Sequence, residues 1–470
     1  MSFIIFDLIF LGIFCLVIGL FLYKHKKKLK VESKVFLLYR TKVGLKFINW
    51  FSKKFSKLLN VLSYFSITFG FFAMVIAFLL LYRSIELILS LVVVPKIPPI
   101  MPLVPYLPQI FELPLPPFYF TYWLLIIAIV AIVHEFSHGI FASLYKLKIK
   151  ATGFGFLGPF LAAFVEPDEK AMQKRRPKQQ LAILAAGSFS NFIFAIIFLL
   201  LMQLFFFLAY TPIGVGSYFY AYESVNLSSI QSIGNYSVDG FLNLSNQELK
   251  AITSDLELIS DSNKSYYLNP EILGDFSANR EAYIKLGVIS AFLDSPAFKS
   301  NLSGGIQKIG EFEIKSPEDV SAALGNYKPN DTITVITSKG SYEITLGKNP
   351  TNESRGFLGV AFPRIDPSQK LLASISSPFF SPFTYVEPKI NPDLLIFIRD
   401  LFYWLILISI SIALINMLPL GMLDGGRFIY VAALGLTKSK KFAEFVFKAA
   451  AFLVLLILLI LTVVWFVRVI

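Results

Sequence analysis

Six runs of about twenty apolar residues recur along this 470-residue chain, each long enough to cross bilayer hydrocarbon as a helix. They fall at 3–23, 58–82, 118–142, 181–209, 394–418 and 442–467. In lipid every backbone N–H and C=O must be satisfied within the chain, so such runs fold as helices. The composition agrees: 55% of the residues are hydrophobic, 49 are Phe, and the mean hydropathy is +0.65. That is too apolar for a soluble protein. A single cysteine, Cys15, excludes an intrachain disulfide framework and a cysteine-based metal site. The fold class expected is a polytopic α-helical membrane protein of about six transmembrane helices, with a soluble part.

Charge gives these runs a direction. Between Lys24 and Lys57 there are 12 Lys/Arg against one acid, Glu32, and Lys146–Lys178 holds eight more. With Lys438, Lys440 and Lys441, these segments read as cytoplasmic by the positive-inside rule. The first run carries its basic residues after the apolar stretch and no small-residue cleavage site, so it reads as an anchor, not a signal peptide. A net charge of +12 would suit nucleic acid, but the basic run is wedged between two spans. Its expected partner is the anionic lipid bilayer, with no nucleic acid. The proline-rich loop Pro95–Pro117 and the segment 212–390 then fall outside. Seven N-x-S/T sequons, at Asn226, Asn235, Asn243, Asn263, Asn301, Asn330 and Asn352, all lie in that second segment. Glycan acceptors belong on the translocated side, so they agree with the charges. Sequons on such a layout suit an archaeal plasma membrane.

The chain accordingly divides into five parts. Residues 1–57 are an N-terminal anchor plus a basic cytoplasmic segment, and 58–117 a second span with a Pro-rich outer loop. Residues 118–211 and 391–470 form two halves of a membrane core. Between them, 212–390 is more polar and carries 19 Asp/Glu against 14 Lys/Arg. There Thr332–Thr337 and Ser341–Leu346 alternate around Ser338-Lys339-Gly340, which predicts a hairpin. Ser316-Pro317-Glu318-Asp319 predicts a capped helix that Gly325 would close. Asn226-LSSIQSIGNYSV aligns with Asn301-LSGGIQKIGEFEI, an internal repeat. The second copy resembles a PDZ domain, so two PDZ-like units are expected at about 215–287 and 288–362. Such grooves accept an extended peptide ligand as an added strand.

The chemistry concentrates in the third span. His134-Glu135-Phe136-Ser137-His138 places two imidazoles four residues apart on one helix face, within reach of one Zn²⁺, with Glu135 turned toward the metal's open position. Ionisable groups in lipid mark function by default. A catalytic zinc takes three protein ligands. His25 lies in the basic run, Asp7 near the opposite end of its span, and Glu444 at the start of the last span. Asp424, in Asn416-MLPLGMLDGGR, follows a span running inward and should reach the depth of the two histidines. Pro419, Gly421, Gly425 and Gly426 break the helix there, as happens where backbone lines a cavity.

His134-Glu135-x-x-His138 together with Asn416-x-x-Pro419-x-x-x-x-Asp424-Gly425 resembles the paired signature of the site-2 protease family of intramembrane zinc metalloproteases. Gly187-Ser188-Phe189-Ser190-Asn191 is similar to that family's Gly-x-x-x-Asn element, with Ser188 where the family often has Pro. The likeness covers 118–209 and 394–436 closely and 212–360 loosely. It implies that His134, His138 and Asp424 hold zinc, that Glu135 is general base and proton shuttle, and that Asn416 helps hold the substrate backbone. It also implies single-span membrane protein substrates and a β element beside the site. Ala151–Val165, apolar and too short to span, would supply that element as a re-entrant hairpin. A prenyl-tail metalloprotease would need a Glu-x-x-x-Asp helix, which no inward-running span offers. A non-catalytic PDZ-bearing scaffold with a relict metal site would not need Glu135.

Overall fold

The computed structural model describes residues 3–32, 36–90, 102–111, 113, 115–157, 160–216, 218–262, 264–350, 352–362 and 383–469. Among them six helices are long and apolar enough to cross a membrane. We number the helices used below α1 (Phe3–His25), α2 (Leu45–Lys54), α3 (Ser56–Ser90), α4 (Phe120–Leu144), α5 (Pro177–Ala209), α6 (Pro392–Ile415), α7 (Asp424–Thr437) and α8 (Lys440–Val469). All but α2 and α7 are of spanning length. α3 runs eight residues beyond the apolar run at 58–82, because Arg83 pairs with Glu86 at 2.5 Å one turn on and no proline intervenes before Pro95. α6 stops at Ile415, short of the expected 418; Pro419 has no N–H to donate, and the chain turns until Leu423.

The chain forms two compact units, Met1–Met202 with Ile396–Ile470, and Gln203–Leu395. In the first, buried side chains of α3, α4, α5 and α7, among them Ala73, Phe141, Ala185 and Phe428, share one core. The stretch Ile149–Pro167 is a hairpin of β3 (Ile149–Leu157) and β4 (Phe160–Pro167). It does not stand alone. Residues 24–57, expected to be only a charged connector, supply β1 (Leu29–Glu32) and β2 (Phe36–Thr41), and β2 pairs antiparallel with β3. The result is a four-stranded sheet in the order β1-β2-β3-β4, with β4 at one edge.

The second unit holds two cores. Val225, Phe241, Leu258, Phe276 and Ile289 build one; Val215, Ile306, Ile309, Val335 and Ile344 build the other. The repeat is visible in equivalent strands, Ile230–Ile233 and Ile306–Ile309, whose terminal isoleucines are buried. The hairpin Thr332–Thr337 with Gly340–Thr345 forms, and Ser316 caps Pro317–Leu324 in a capping box with Asp319. Gly325 ends that helix at a helical φ of −63°, so its left-handed freedom goes unused. The division between copies differs from the expected one. Val288–Leu293 pairs with Tyr222–Asn226 and belongs to the first sheet, whereas Tyr210–Val215 joins the second. The six described sequon asparagines are all exposed on this unit.

A buried carboxylate fixes the start of α4. Asp7 in α1 is 1% exposed and accepts from the backbone N–H of Phe120 (2.7 Å) and Thr121 (2.9 Å). It also accepts from the hydroxyls of Thr121 (2.5 Å) and Tyr106 (2.6 Å). A helix begins with unpaired N–H groups and a partial positive charge, and Asp7 answers both from another helix. Burial, reinforced by Asp7, pushes the Tyr106 hydroxyl well above the ordinary phenol range, which keeps it a donor. Trp123 Nε1 donates to Leu103 O and Trp404 Nε1 to Pro117 O, so the described part of the proline-rich loop is tied to the start of α4 and to the middle of α6. The loop's residues 95–101, 112 and 114 lie outside the described ones. Replacing Asp7 by Ala should destabilise the membrane unit by about 2–4 kcal/mol, because four donors lose their acceptor in an apolar setting. Thermal unfolding in detergent checks this, with Asp7→Asn expected to lose less.

Candidate metal centre

Helical spacing stacks His134 and His138 one turn apart on α4, with ring centroids 4.7 Å apart. Asp424 arrives from the other half of the unit as the first residue of α7. Gly425 makes that approach possible, since a Cβ there would collide with the carbonyls of Met417 and Leu418. The three donor atoms converge: His134 Nε2 and His138 Nε2 are 3.1 Å apart, and each lies 3.2 Å from Asp424 Oδ2. Tetrahedral zinc at about 2.0–2.1 Å separates its ligands by roughly 3.3 Å, so the triangle fits such an ion. The donor set, two imidazoles and one carboxylate, suits it chemically.

The surroundings hold the rings in place. His138 Nδ1 donates to the Ile183 carbonyl at 2.7 Å; a carbonyl only accepts, so the proton is on Nδ1 and Nε2 is free. His134 Nδ1 faces the side-chain amide of Asn191 at 3.2 Å, and Asn191 is 1% exposed. For Nε2 to act as a ligand, Nδ1 must carry the proton and Asn191 must present its oxygen. Turning the amide by 180° does this without moving a ring, and it satisfies an Oδ1 that is otherwise buried without a partner. Both supports come from α5, which Gly187 lets close. A Cβ at 187 would lie 2.6 Å from His134 Nε2 and closer still to His138 Nε2.

Glu135, half-buried, accepts the backbone N–H of Val165 in β4 at 2.9 Å. His134, Glu135, His138, Asn416 and Asp424 line one cavity of about 420 Å³, together with Ala163 of β4. Thus all five residues singled out by the sequence meet at one place. The other candidates do not: His25 bonds the Phe21 carbonyl, Asp7 caps α4, and Glu444 is exposed at the start of α8. Arg427, one turn after Asp424, also lines the cavity, and its Nη2 is buried without a partner. Neither its role nor that of Ile183 follows from local sequence, although Asp424-Gly-Gly-Arg427 places Arg427 on the ligand's side of a helix; Asn191 enters the sequence only as the end of the Gly-x-x-x-Asn element, without a role.

Convergence of two histidines, an aspartate and a neighbouring glutamate within a helical membrane bundle defines a membrane metallopeptidase type of centre. The model of Peptidase family M50 matches residues 122–461, and the chain belongs to that family, which includes the site-2 proteases and is zinc-dependent in general. No protein with a curated description matches the chain. The match begins just inside α4 and leaves α1, α2 and α3 outside it.

Substitutions at two positions on α5 test the geometry by metal content. Gly187→Ala should abolish stoichiometric zinc binding while leaving helical circular dichroism intact. Asn191→Ala should weaken zinc about 10–100-fold in a chelator competition, the usual cost of losing a ligand's orienting partner. Asn191→Asp, which keeps an acceptor, should retain most of the affinity.

Proposed function

We propose that the protein is an intramembrane zinc endopeptidase that cleaves the transmembrane segments of single-span proteins, as in regulated intramembrane proteolysis. The carrying observation is a three-donor triangle, 3.1–3.2 Å on a side, sharing one cavity with the carboxylate of Glu135. His134, His138 and Asp424 would hold the ion. When bound, zinc supplies a Lewis acid that polarises a carbonyl and makes water nucleophilic near neutral pH. Glu135 takes the proton from the attacking water and returns it to the leaving amine. Its bond to Val165 fixes which carboxylate oxygen faces the cavity. Asn416 holds the substrate backbone; its own carbonyl is engaged by the Gly425 N–H at 2.8 Å, which leaves the side chain for that work.

A helical substrate shields its carbonyls, so it must unwind before attack. β4 supports a way to hold it. The Val165 N–H points to Glu135, away from β3, and residues two apart on a strand point the same way. Ala163 therefore offers its N–H and C=O toward the cavity it lines, where an extended substrate can pair as an added strand. The basic segments flanking the hairpin, read as cytoplasmic by the positive-inside rule, support a re-entrant hairpin and a centre toward the cytoplasm, where water reaches it. The unit Gln203–Leu395, with its exposed sequons, is the extracytoplasmic PDZ-like part of a plasma-membrane protein and a site for peptide ligands.

The test is zinc content and cleavage of a single-span substrate by purified protein. Glu135→Gln should keep zinc and lose on the order of 10²–10⁴ in rate. Asp424→Ala should lose zinc and activity together. Full metal and activity in Asp424→Ala would move the third ligand elsewhere. Absence of zinc from the wild type under every condition would favour a scaffold.

A further inference from the structure

Residues 45–54 lie within the basic run, yet they form a two-faced helix pressed against α4. At about 100° per residue, Leu45, Ile48 and Ser52 share one side of α2. Ile48 is fully buried and reaches Gly139, the residue after His138. The Ser143 hydroxyl donates to Asn49 Oδ1 at 2.8 Å and bonds the Ser52 hydroxyl at 2.8 Å. Just before α2, Gly44 (φ +86°) faces the ring of Phe136, where a Cβ would lie 2.6 Å from Cζ. α2 is therefore keyed to Phe136, Gly139 and Ser143, one stripe of the helix that carries both histidines.

The opposite face is of another kind. Lys46, Phe47, Trp50, Lys53 and Lys54 fall within a sector of about 120°, with Phe47 at its edge, where its ring also lies 6.4 Å from that of Phe136. Phe47 is 47% and Trp50 50% exposed. Lys54 Nζ lies 4.8 Å from the Trp50 ring centroid, and Lys42 and Lys57 flank the helix. Among the described residues no carboxylate pairs with any of these five lysines. A 10-residue helix cannot cross a bilayer, and α2 leads directly into α3, which is of spanning length, so it lies where that span leaves the membrane. Aromatic rings beside uncompensated lysines fit the headgroup layer: rings at the acyl boundary, ammonium groups on phosphates.

We propose that this outer face of α2 is a binding surface for anionic phospholipid headgroups, and that lipid held there steadies the histidine-bearing helix through Ile48, Asn49 and Ser52. Occupancy of a site present only in the folded protein raises thermal stability by mass action. The readout is independent of zinc and of proteolysis, so the proposal and the peptidase reading can fail separately. Wild type, the triple variant Lys46→Gln/Lys53→Gln/Lys54→Gln and the matching Arg triple would be reconstituted in phosphatidylcholine vesicles with or without phosphatidylglycerol. Phosphatidylglycerol should raise the unfolding temperature of the wild type and the Arg triple by a few degrees. The Gln triple should match the wild type in phosphatidylcholine alone and show no rise. An equal rise in the Gln triple would assign the effect to other lysines and overturn the proposal; so would no rise in the wild type.

Discussion

Polar groups in a lipid-embedded bundle persist only when each finds a partner, and the centre of this protein shows how strictly that holds. Each histidine aims one nitrogen at the cluster and commits the other to α5: His138 to the Ile183 carbonyl, His134 to Asn191. The bond of His138 to a carbonyl selects the tautomer that leaves its Nε2 free, and Asn191 does the same for His134 once its amide presents oxygen. The cluster thus depends on α5 lying close to α4, and the closeness depends on Gly187, where any side chain would fill the space between the two rings. The donor triangle, its tautomers and its access are consequences of one helix–helix approach.

The sequence carried the parts of this that are local. Two histidines four apart need only a helix to share a face, and a glutamate between them is placed by the same periodicity. The six spans followed from length and apolarity, and their ends moved only where a specific residue decided: Pro419 shortened α6, and the Arg83–Glu86 pair let α3 continue. Asp424 lies 286 residues after His138 and was reached by reasoning about depth along an inward-running span, which is coarse but sufficient when acids are few. What stayed hidden depends on which surfaces of distant helices touch. The Ile183 carbonyl and the Val165 N–H act through contacts that no spacing encodes, and Asn191, marked by its motif, shows its histidine partner only in the fold.

The basic segment illustrates a different limit. Leu29–Glu32 and Phe36–Thr41 are short, and lysines dominate their surroundings, so composition outweighs the alternation that would mark strands. Only pairing with β3 makes them strands, and β3 lies more than a hundred residues away. In the unit Gln203–Leu395 the repeat was visible because Ile230–Ile233 and Ile306–Ile309 occupy equivalent buried strands. The boundary between copies was not, because Tyr210–Val215 and Val288–Leu293 each pair outside the copy that sequence order suggests.

Residues ahead of the family match hold α4 at both ends. Near its start Asp7, from α1, satisfies the unpaired N–H groups of Phe120 and Thr121. Near its finish α2 grips Gly139 and Ser143 with a buried isoleucine and two hydrogen bonds. Between these clamps lie His134, Glu135 and His138, on a helix that also faces β4 through Glu135 and α5 through both rings. A ligand set tolerates displacements of only a few tenths of an ångström, so a helix fixed at both ends suits it better than one fixed only at the metal. The residues ahead of the match therefore act on the same element as the chemistry: one clamp is a buried carboxylate insulated from solvent, the other a helix whose far side is exposed.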